Sequence, residues 1–370
     1  MTTSRAFRFA DDLGPKAVLH AYEPKTGLRA IVVVDNVACG PAIGGCRMAP
    51  DVSLAECFRL ARAMTFKNAS AGLPHGGAKS VIFADPNMDS VAKEQLIRAY
   101  ARAIRPLTDY IPGPDMGTNE AAMALIKDEG GQCAGLPASV GGIPLDKIGA
   151  TAFGVVASAD IARDEVGLSL EGARVAMQGF GAVGKNAAKF FAARGAILVA
   201  AADSSGMVED PGGLDVDALA DYVERGGQMC DFDAGAHADR EAIVAVDCDI
   251  LVPAARPDVI RADNQATVRA KLIVPGANIG ITEDAEAMLH ERGVLCVPDF
   301  IANAGGVISA AVEYGGGTEA QVFGVIDEKV RSNTTETLER MHRDNILPRA
   351  AAVAMARERV AKAMQYQRFN

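Results

Sequence analysis

Arg174-Val-Ala-Met-Gln-Gly-Phe-Gly-Ala-Val-Gly-Lys185 decides how the second half of this chain folds. Glycines 179, 181 and 184 have GxGxxG spacing between a short apolar run and a segment, 183–194, whose apolar residues recur at helical spacing. A second apolar run, 197–202, then ends on Asp203. Strand, glycine turn, helix and a second strand closed by an acid about 20 residues on make the dinucleotide-binding fingerprint. Gly179 allows the tight turn, Gly181 lets the backbone approach a pyrophosphate, and Gly184 lets the helix pack close on the strand. The helix start presents free N–H groups to phosphate, so Gly179, Phe180, Gly181, Ala182, Val183 and Gly184 form the expected cofactor cradle. An acid at the position of Asp203 can accept hydrogen bonds from the adenosine ribose and repels a 2′-phosphate, which favours NAD over NADP.

The pattern around this motif alternates helix and strand from Thr151 onward, with candidate strands at 174–178, 197–202, 249–253, 272–274 and 294–297. That alternation predicts a mainly parallel, doubly wound sheet of Rossmann type. The first third reads as an α/β domain with its own core. Strands are expected at 16–22 and 28–34, joined as a hairpin through Glu23-Pro-Lys-Thr-Gly27, with helices at 54–70 and 91–105. A buried strand is expected at 79–84 after a Gly-Gly turn, and loop after Pro106. The Gly- and Pro-rich stretch 135–149 marks the boundary. The expected fold is therefore α/β with two domains: 1–145, completed by an alanine-rich C-terminal helix at 335–370, and a dinucleotide-binding domain at 146–334.

A chain of 370 residues accommodates two cores, and 49% hydrophobic with 23% charged residues describes an ordinary globular protein. A net charge of −10 argues against general binding to nucleic acid or an anionic membrane. The seven cysteines, at 39, 46, 57, 133, 230, 248 and 296, show neither a CxxC pair nor Cys/His metal-ligand spacing, so no metal is expected and free thiols in a reducing compartment are. The N-terminal Met1-Thr-Thr-Ser-Arg-Ala-Phe-Arg-Phe9 lacks an apolar signal core, which gives a cytoplasmic expectation.

Chemistry concentrates in Met64-Thr-Phe-Lys-Asn-Ala-Ser-Ala-Gly-Leu-Pro-His-Gly-Gly-Ala-Lys-Ser-Val-Ile82. Lys79, between a glycine turn and an apolar strand, is expected to be partly desolvated and so tuned toward acid/base work. Lys67, near a helix end, is a second cation suited to an α-carboxylate. Asp115, in Ile111-Pro-Gly-Pro-Asp-Met-Gly-Thr-Asn119, reads as a turn former by itself and as a proton shuttle beside two lysines and a nicotinamide site. His75 is read as structural or as a surface residue of the turn.

Nearly the whole chain resembles the glutamate/leucine/phenylalanine/valine dehydrogenase family. The matching pieces are Gly40-Pro-Ala-Ile-Gly-Gly-Cys-Arg-Met48, segment 64–82, Gly113-Pro-Asp-Met-Gly-Thr118, Ala150-Thr-Ala-Phe-Gly-Val155, the fingerprint, Asp249-Ile-Leu-Val-Pro-Ala-Ala255, Pro298-Asp-Phe-Ile-Ala-Asn-Ala-Gly-Gly-Val307 and Ala356-Arg-Glu-Arg359. The resemblance implies NAD-dependent, reversible oxidative deamination of an L-amino acid to a 2-oxo acid and ammonium, by a homo-oligomer assembled through the first domain. It also implies catalysis by Lys79 and Asp115 and α-carboxylate binding by Lys67. Thr151 and Asn278 would meet the nicotinamide end, and Asn303 the substrate or nicotinamide ribose. The chain departs from its relatives at Ala255-Arg-Pro257 and Pro275-Gly-Ala-Asn-Ile-Gly-Ile-Thr282.

Glutamate-specific relatives place a lysine before the Gly44-Gly45 pair and a serine at the position of Ala310; this chain has Ile43 and Ala310. A side-chain pocket of Ile43, Gly44, Gly113, Val307 and Ala310 is expected to take an apolar amino acid, phenylalanine or a branched chain, because an unpaired buried carboxylate is penalised. The alternatives are a glutamate dehydrogenase with an unusual pocket and a non-catalytic NAD-sensing protein.

Overall fold

The computed structural model describes residues 7–366, so the expectations for the first six and last four residues lie outside the described residues. The chain divides into two compact units. The first runs to Pro144 and adds Val307–Val322 and the chain from Val353; the second takes Leu145–Gly306 and Phe323–Ala352.

In the first unit, β1 (Ala17–Glu23), β2 (Leu28–Asn36), β3 (Ala42–Met48), β4 (Gly76–Ile82) and β5 (Tyr110–Pro114) form one sheet in the order β1-β2-β4-β3-β5. The β1-β2 hairpin and the β2-β4 pair are antiparallel, while β3 runs parallel to both β4 and β5. Helix α1 (Leu54–Ser70) starts on Ser53, whose hydroxyl accepts the Glu56 N–H. It covers one face of the sheet, where Ile31, Val33 and Val81 meet Cys57, Phe58 and Ala61. Helices α2 (Ser90–Ile104) and α3 (Glu120–Asp128), capped by Asp89 and Asn119, cover the other face through Leu96, Tyr100, Met123 and Ile126. Period-two alternation along the strands supplies both faces.

Two expectations need correction here. Gly76 and Gly77 lie inside β4 and do not form a turn before it: a Cβ on Gly77 would stand 2.0 Å from the Thr65 backbone nitrogen, so α1 rests directly on the strand. The stretch after Pro106, expected as loop, contains β5. Its Pro112 and Pro114 are tolerated because β5 is an edge strand that pairs on one side only.

The second unit contains α4 (Leu145–Ile148), α5 (Ala150–Ala162), β6 (Arg174–Gln178), α6 (Ala182–Ala192), β7 (Ile197–Ala202), β8 (Met207–Glu209), α7 (Val216–Glu224), β9 (Ala236–Ala238), β10 (Ile250–Pro253), β11 (Leu272–Ile273), α8 (Glu283–Glu291), β12 (Leu295–Cys296) and α9 (Asp299–Ala302). Its sheet order is β12-β11-β10-β6-β7-β8-β9; the first five strands are parallel and the last two extend the edge antiparallel. Strand β6 lies between β7 and β10, so the order reverses there, at the switch point where such sheets bind ligands.

Three further helices follow: α10 (Gly305–Tyr314), α11 (Glu319–Asp344) and α12 (Pro348–Met364). The C-terminal stretch expected as one helix completing the first unit is divided between two helices, and only the part from Val353 joins that unit. Asn345 takes a left-handed backbone (φ 50°) and Pro348 opens the next helix, which breaks the run. Residues 335–352 belong to the second unit, and Thr334, the residue just before them on α11, meets Ser158 of α5, hydroxyl to hydroxyl at 3.0 Å. On α12, Ala356 and Val360 pack with Leu13 and Ala69 in the first unit.

Candidate active site

The register of the first sheet assembles the catalytic candidates. Ile43, Gly45 and Arg47 alternate onto one face of β3, and Ile43 pairs with Gly77 on β4 and with Ile111 on β5, while Gly45 pairs with Gly113. Lys79, two residues after Gly77, therefore shares this face with Gly45, and Asp115, two residues after Gly113, joins it from just past β5. Lys79 and Asp115 are ion-paired across β3, with 6% of Lys79 exposed. Gly45 makes room for them: a Cβ there would come within 2.8 Å of Asp115 Cβ and 3.0 Å of Lys79 Nζ.

Asp115 is fixed from behind. Its N–H donates to Thr118 Oγ1 at 3.0 Å, and that hydroxyl donates to the Cys46 carbonyl at 2.7 Å. Burial works to raise the Asp115 pKa, but the Lys79 ammonium and the Arg47 guanidinium outweigh it and hold the carboxyl below its usual range. Arg47 Nε is 3.4 Å from Asp115 Oδ2, and its Nη1 donates to Glu56 of α1 at 2.6 Å. Lys79, Asp115, Arg47 and Glu56 thus form a chain of alternating charge. Sequence reading assigned no role to Arg47, Gly45 or Glu56; Arg47 and Gly45 could have been found by stepping two residues at a time along β3 from Ile43.

Lys67 is half-buried on α1, on the turn whose Thr65 touches β4 and whose Asn68 donates to the carbonyls of Ile43 (3.3 Å) and Gly76 (2.7 Å). His75 is structural: its Nδ1 lies 3.0 Å from the Pro41 carbonyl, its ring meets Tyr314 edge-on, and burial lowers its pKa. Cys46 faces the opposite side of β3, and burial pushes its thiol up to about 11, so it is no nucleophile.

Next to this constellation, Ile43, Ile111 and Ala134 form a small apolar cluster with Ala310 and Ala311 of α10 packed against it. Gly113 lies on the same sheet face beside an open space, where an added Cβ would find only the Ala134 carbonyl, at 3.8 Å. Val307 is half-buried one turn before Ala310. Gly44 faces the other way and its carbonyl accepts from the Tyr110 hydroxyl at 3.3 Å. At its far end α10 carries Glu313, whose carboxylate accepts the N–H groups of Gly135, Leu136 and Ile143 at 2.8–3.0 Å and so fixes the loop bearing Ala134.

In the second unit the fingerprint has the shape a dinucleotide needs. Gly179 has φ 96°, a Cβ on Gly184 would stand 1.8 Å from the Gly179 carbonyl, and a Cβ on Gly181 would meet nothing within 4 Å. The cradle is therefore open at Gly181 and closed by packing at Gly184, with Ala182 exposed at the start of α6. The Phe180 side chain is 2% exposed, in the core, which leaves its backbone for the cradle. Asp203 follows β7, half-exposed, and its Oδ1 accepts from Ser205 N–H (2.7 Å) and Ser205 Oγ (2.6 Å). Asn303, expected to meet the substrate or nicotinamide ribose, is 3% exposed. Its amide donates to Asn278 Oδ1 at 3.0 Å and to the Gly276 carbonyl at 3.3 Å. Thr151, near the start of α5, sits against Gly306, where a Cβ would be 3.0 Å from its hydroxyl.

Residues 15–131 match the model of the Glu/Leu/Phe/Val dehydrogenase dimerisation domain, and residues 141–368 that of the Glutamate/Leucine/Phenylalanine/Valine dehydrogenase family. The NADP(+)-dependent glutamate dehydrogenase of Pyrobaculum calidifontis is 40% identical over 313 residues, covering 80% of this chain and 73% of that protein. The NAD-specific glutamate dehydrogenase of Staphylococcus aureus is 36% identical over 362 residues, covering 92% and 86%. Among solved structures, the hetero-hexameric glutamate dehydrogenase of Thermus thermophilus, in its Leu bound form, superposes with a TM-score of 0.84 at 29% identity over 96% of this chain and 91% of that one. The chain belongs to the glutamate/leucine/phenylalanine/valine dehydrogenase family: it is an amino-acid dehydrogenase, an oxidoreductase acting on the CH–NH2 group of its donor with a nicotinamide cofactor.

Proposed function

We propose that this enzyme catalyses the reversible, NAD-dependent oxidative deamination of an apolar L-amino acid, phenylalanine or a branched chain, to its 2-oxo acid and ammonium. The observation that carries the substrate class is Ile43, 4% exposed in apolar contact beside the Lys79–Asp115 pair, at the position where glutamate-specific relatives place a carboxylate-binding lysine. A γ-carboxylate brought there without a partner costs roughly several kcal/mol, more than an imperfect apolar fit. The names of the curated relatives favour glutamate as the second reading.

When bound, the nicotinamide supplies the hydride acceptor for Cα. The chain's own groups do the rest. Lys67 pairs with the α-carboxylate, Asp115 moves protons to and from the amino nitrogen, and Lys79 activates water and stabilises the oxygen anion that develops. The backbone of residues 179–184 holds the pyrophosphate, and Thr151 and Asn278 hold the nicotinamide end. The dimerisation-domain match of residues 15–131 supports self-association through the first unit. No helix of the described residues is long and apolar enough to cross a membrane.

Replacing Gly113 by Val tests the pocket. The new side chain enters open space on the face of Ile43, so the strand should tolerate it while the pocket shrinks. The expected result is a kcat/KM for phenylalanine lowered about tenfold or more, with valine affected much less. An unchanged phenylalanine/valine ratio would remove this strand from the side-chain site.

The cofactor choice rests on Asp203. The wild type should prefer NAD, and Asp203→Ser should narrow the NAD/NADP ratio of kcat/KM by relieving repulsion of the 2′-phosphate. A wild type that uses both cofactors equally well contradicts the role given to Asp203.

A further inference from the structure

The turn that carries Asn278 is strained at the next residue. Ile279 has φ 55°, in the left-handed region that a β-branched side chain rarely enters, and at 44% exposed its side chain is not anchored in the core. Its backbone is held on both sides. The Ile279 N–H donates to Asp299 Oδ2 at 2.7 Å, and its carbonyl accepts the N–H of Asp258, itself left-handed, at 2.8 Å. Asp299 in turn is seated on Arg349, which donates to Asp299 Oδ1 at 2.8 Å and forks onto Glu286 with two bonds of 2.6 Å. Asp299 and Glu286 are 5% and 7% exposed. Two buried carboxylates on one guanidinium leave an excess negative charge, an arrangement that stability alone does not favour. Backbone strain of this kind persists only where the surroundings over-determine it, and it collects at ligand clamps.

Resting on the reading of Asn278 given above, we propose that Asp299 is a positioning residue for cofactor binding: seated on Arg349 and Glu286, it locks Ile279 in its left-handed conformation and so presents Asn278 to the nicotinamide end of the dinucleotide. Asn303, bonded to Asn278 and Gly276, fixes the same turn from its other side. Asp299 acts through the backbone and touches neither substrate nor reacting atoms.

The test is Asp299→Ala in the full chain, read by calorimetric titration with NADH and with ADP-ribose and by the Tm of the unliganded protein. Removing Asp299 leaves Arg349 and Glu286 as a balanced pair, so the variant should fold. The Kd for NADH should rise about tenfold, the scale of losing one charge-assisted hydrogen bond, while that for ADP-ribose, which lacks the nicotinamide, should stay within about threefold. Adding Ile279→Gly should recover most of the NADH affinity, because glycine takes the left-handed conformation unaided. An unchanged NADH Kd, an equal loss of ADP-ribose binding, or a loss that Ile279→Gly does not recover would each overturn the proposal. A wild type that binds no NADH would sink the cofactor reading together with it, whereas wild-type binding with an indifferent variant sinks this inference alone.

Discussion

Lys79→Ala should lower kcat at least about a hundredfold while leaving the affinity for NADH little changed. Lys79 is 6% exposed, stands on the middle of β4 and contacts the Asp115 carboxylate across the glycine at position 45. On the proposed mechanism, truncation removes the group that activates water and the positive charge that faces the developing oxygen anion. A hundredfold loss corresponds to about 2.7 kcal/mol of transition-state stabilisation, within reach of a single preorganised charge in a water-excluded site. Asp115 would keep Arg47 as its cationic neighbour, so the site should survive the change, and binding to the second unit, where the glycine cradle lies, should not feel it. Single-turnover rates together with NADH titration separate the two quantities. Near-normal turnover by the variant would remove Lys79 from the mechanism.

Local patterns carried most of the fold. Helix α1 follows an apolar spacing that Ser53 punctuates, and β6, the glycine turn and β7 follow a motif whose glycines each have one steric duty. Elements whose existence depends on distant neighbours were not legible. β5 has two prolines in five residues and exists because β3 pairs with it from one side. β8 and β9 are three residues each and add to the edge of a sheet already formed. The break between α11 and α12 is visible only in hindsight, in Asn345 and Pro348.

The site divides in the same way. Lys79, Asp115 and Ile43 are recognisable in short motifs, and the sheet register brings them to one face. Glu56, on α1, becomes visible only through its bond to Arg47. The burial of the Phe180 and Asn303 side chains, at 2% and 3% exposed, is likewise set by packing that their motifs do not specify. Arg349 and Asp299 are 50 residues apart, and nothing local connects them.

Preference among substrates is the second large effect expected. If Ile43 and the apolar cluster around it receive the side chain, then kcat/KM for phenylalanine or a branched-chain amino acid should exceed that for glutamate by at least about a hundredfold, because an unpaired buried carboxylate is penalised more heavily than a methylene or two of misfit. The misfit itself is worth only about 1–3 kcal/mol, so phenylalanine and the branched chains should lie closer to one another than either lies to glutamate. The measurement is NADH consumption by the wild type with ammonium and, in turn, phenylpyruvate, 4-methyl-2-oxopentanoate, 3-methyl-2-oxobutanoate and 2-oxoglutarate, read as kcat/KM for each. Turnover led by one of the three apolar 2-oxo acids is the predicted result. A preference for 2-oxoglutarate would contradict the apolar pocket and return the enzyme to the activity for which its curated relatives are named.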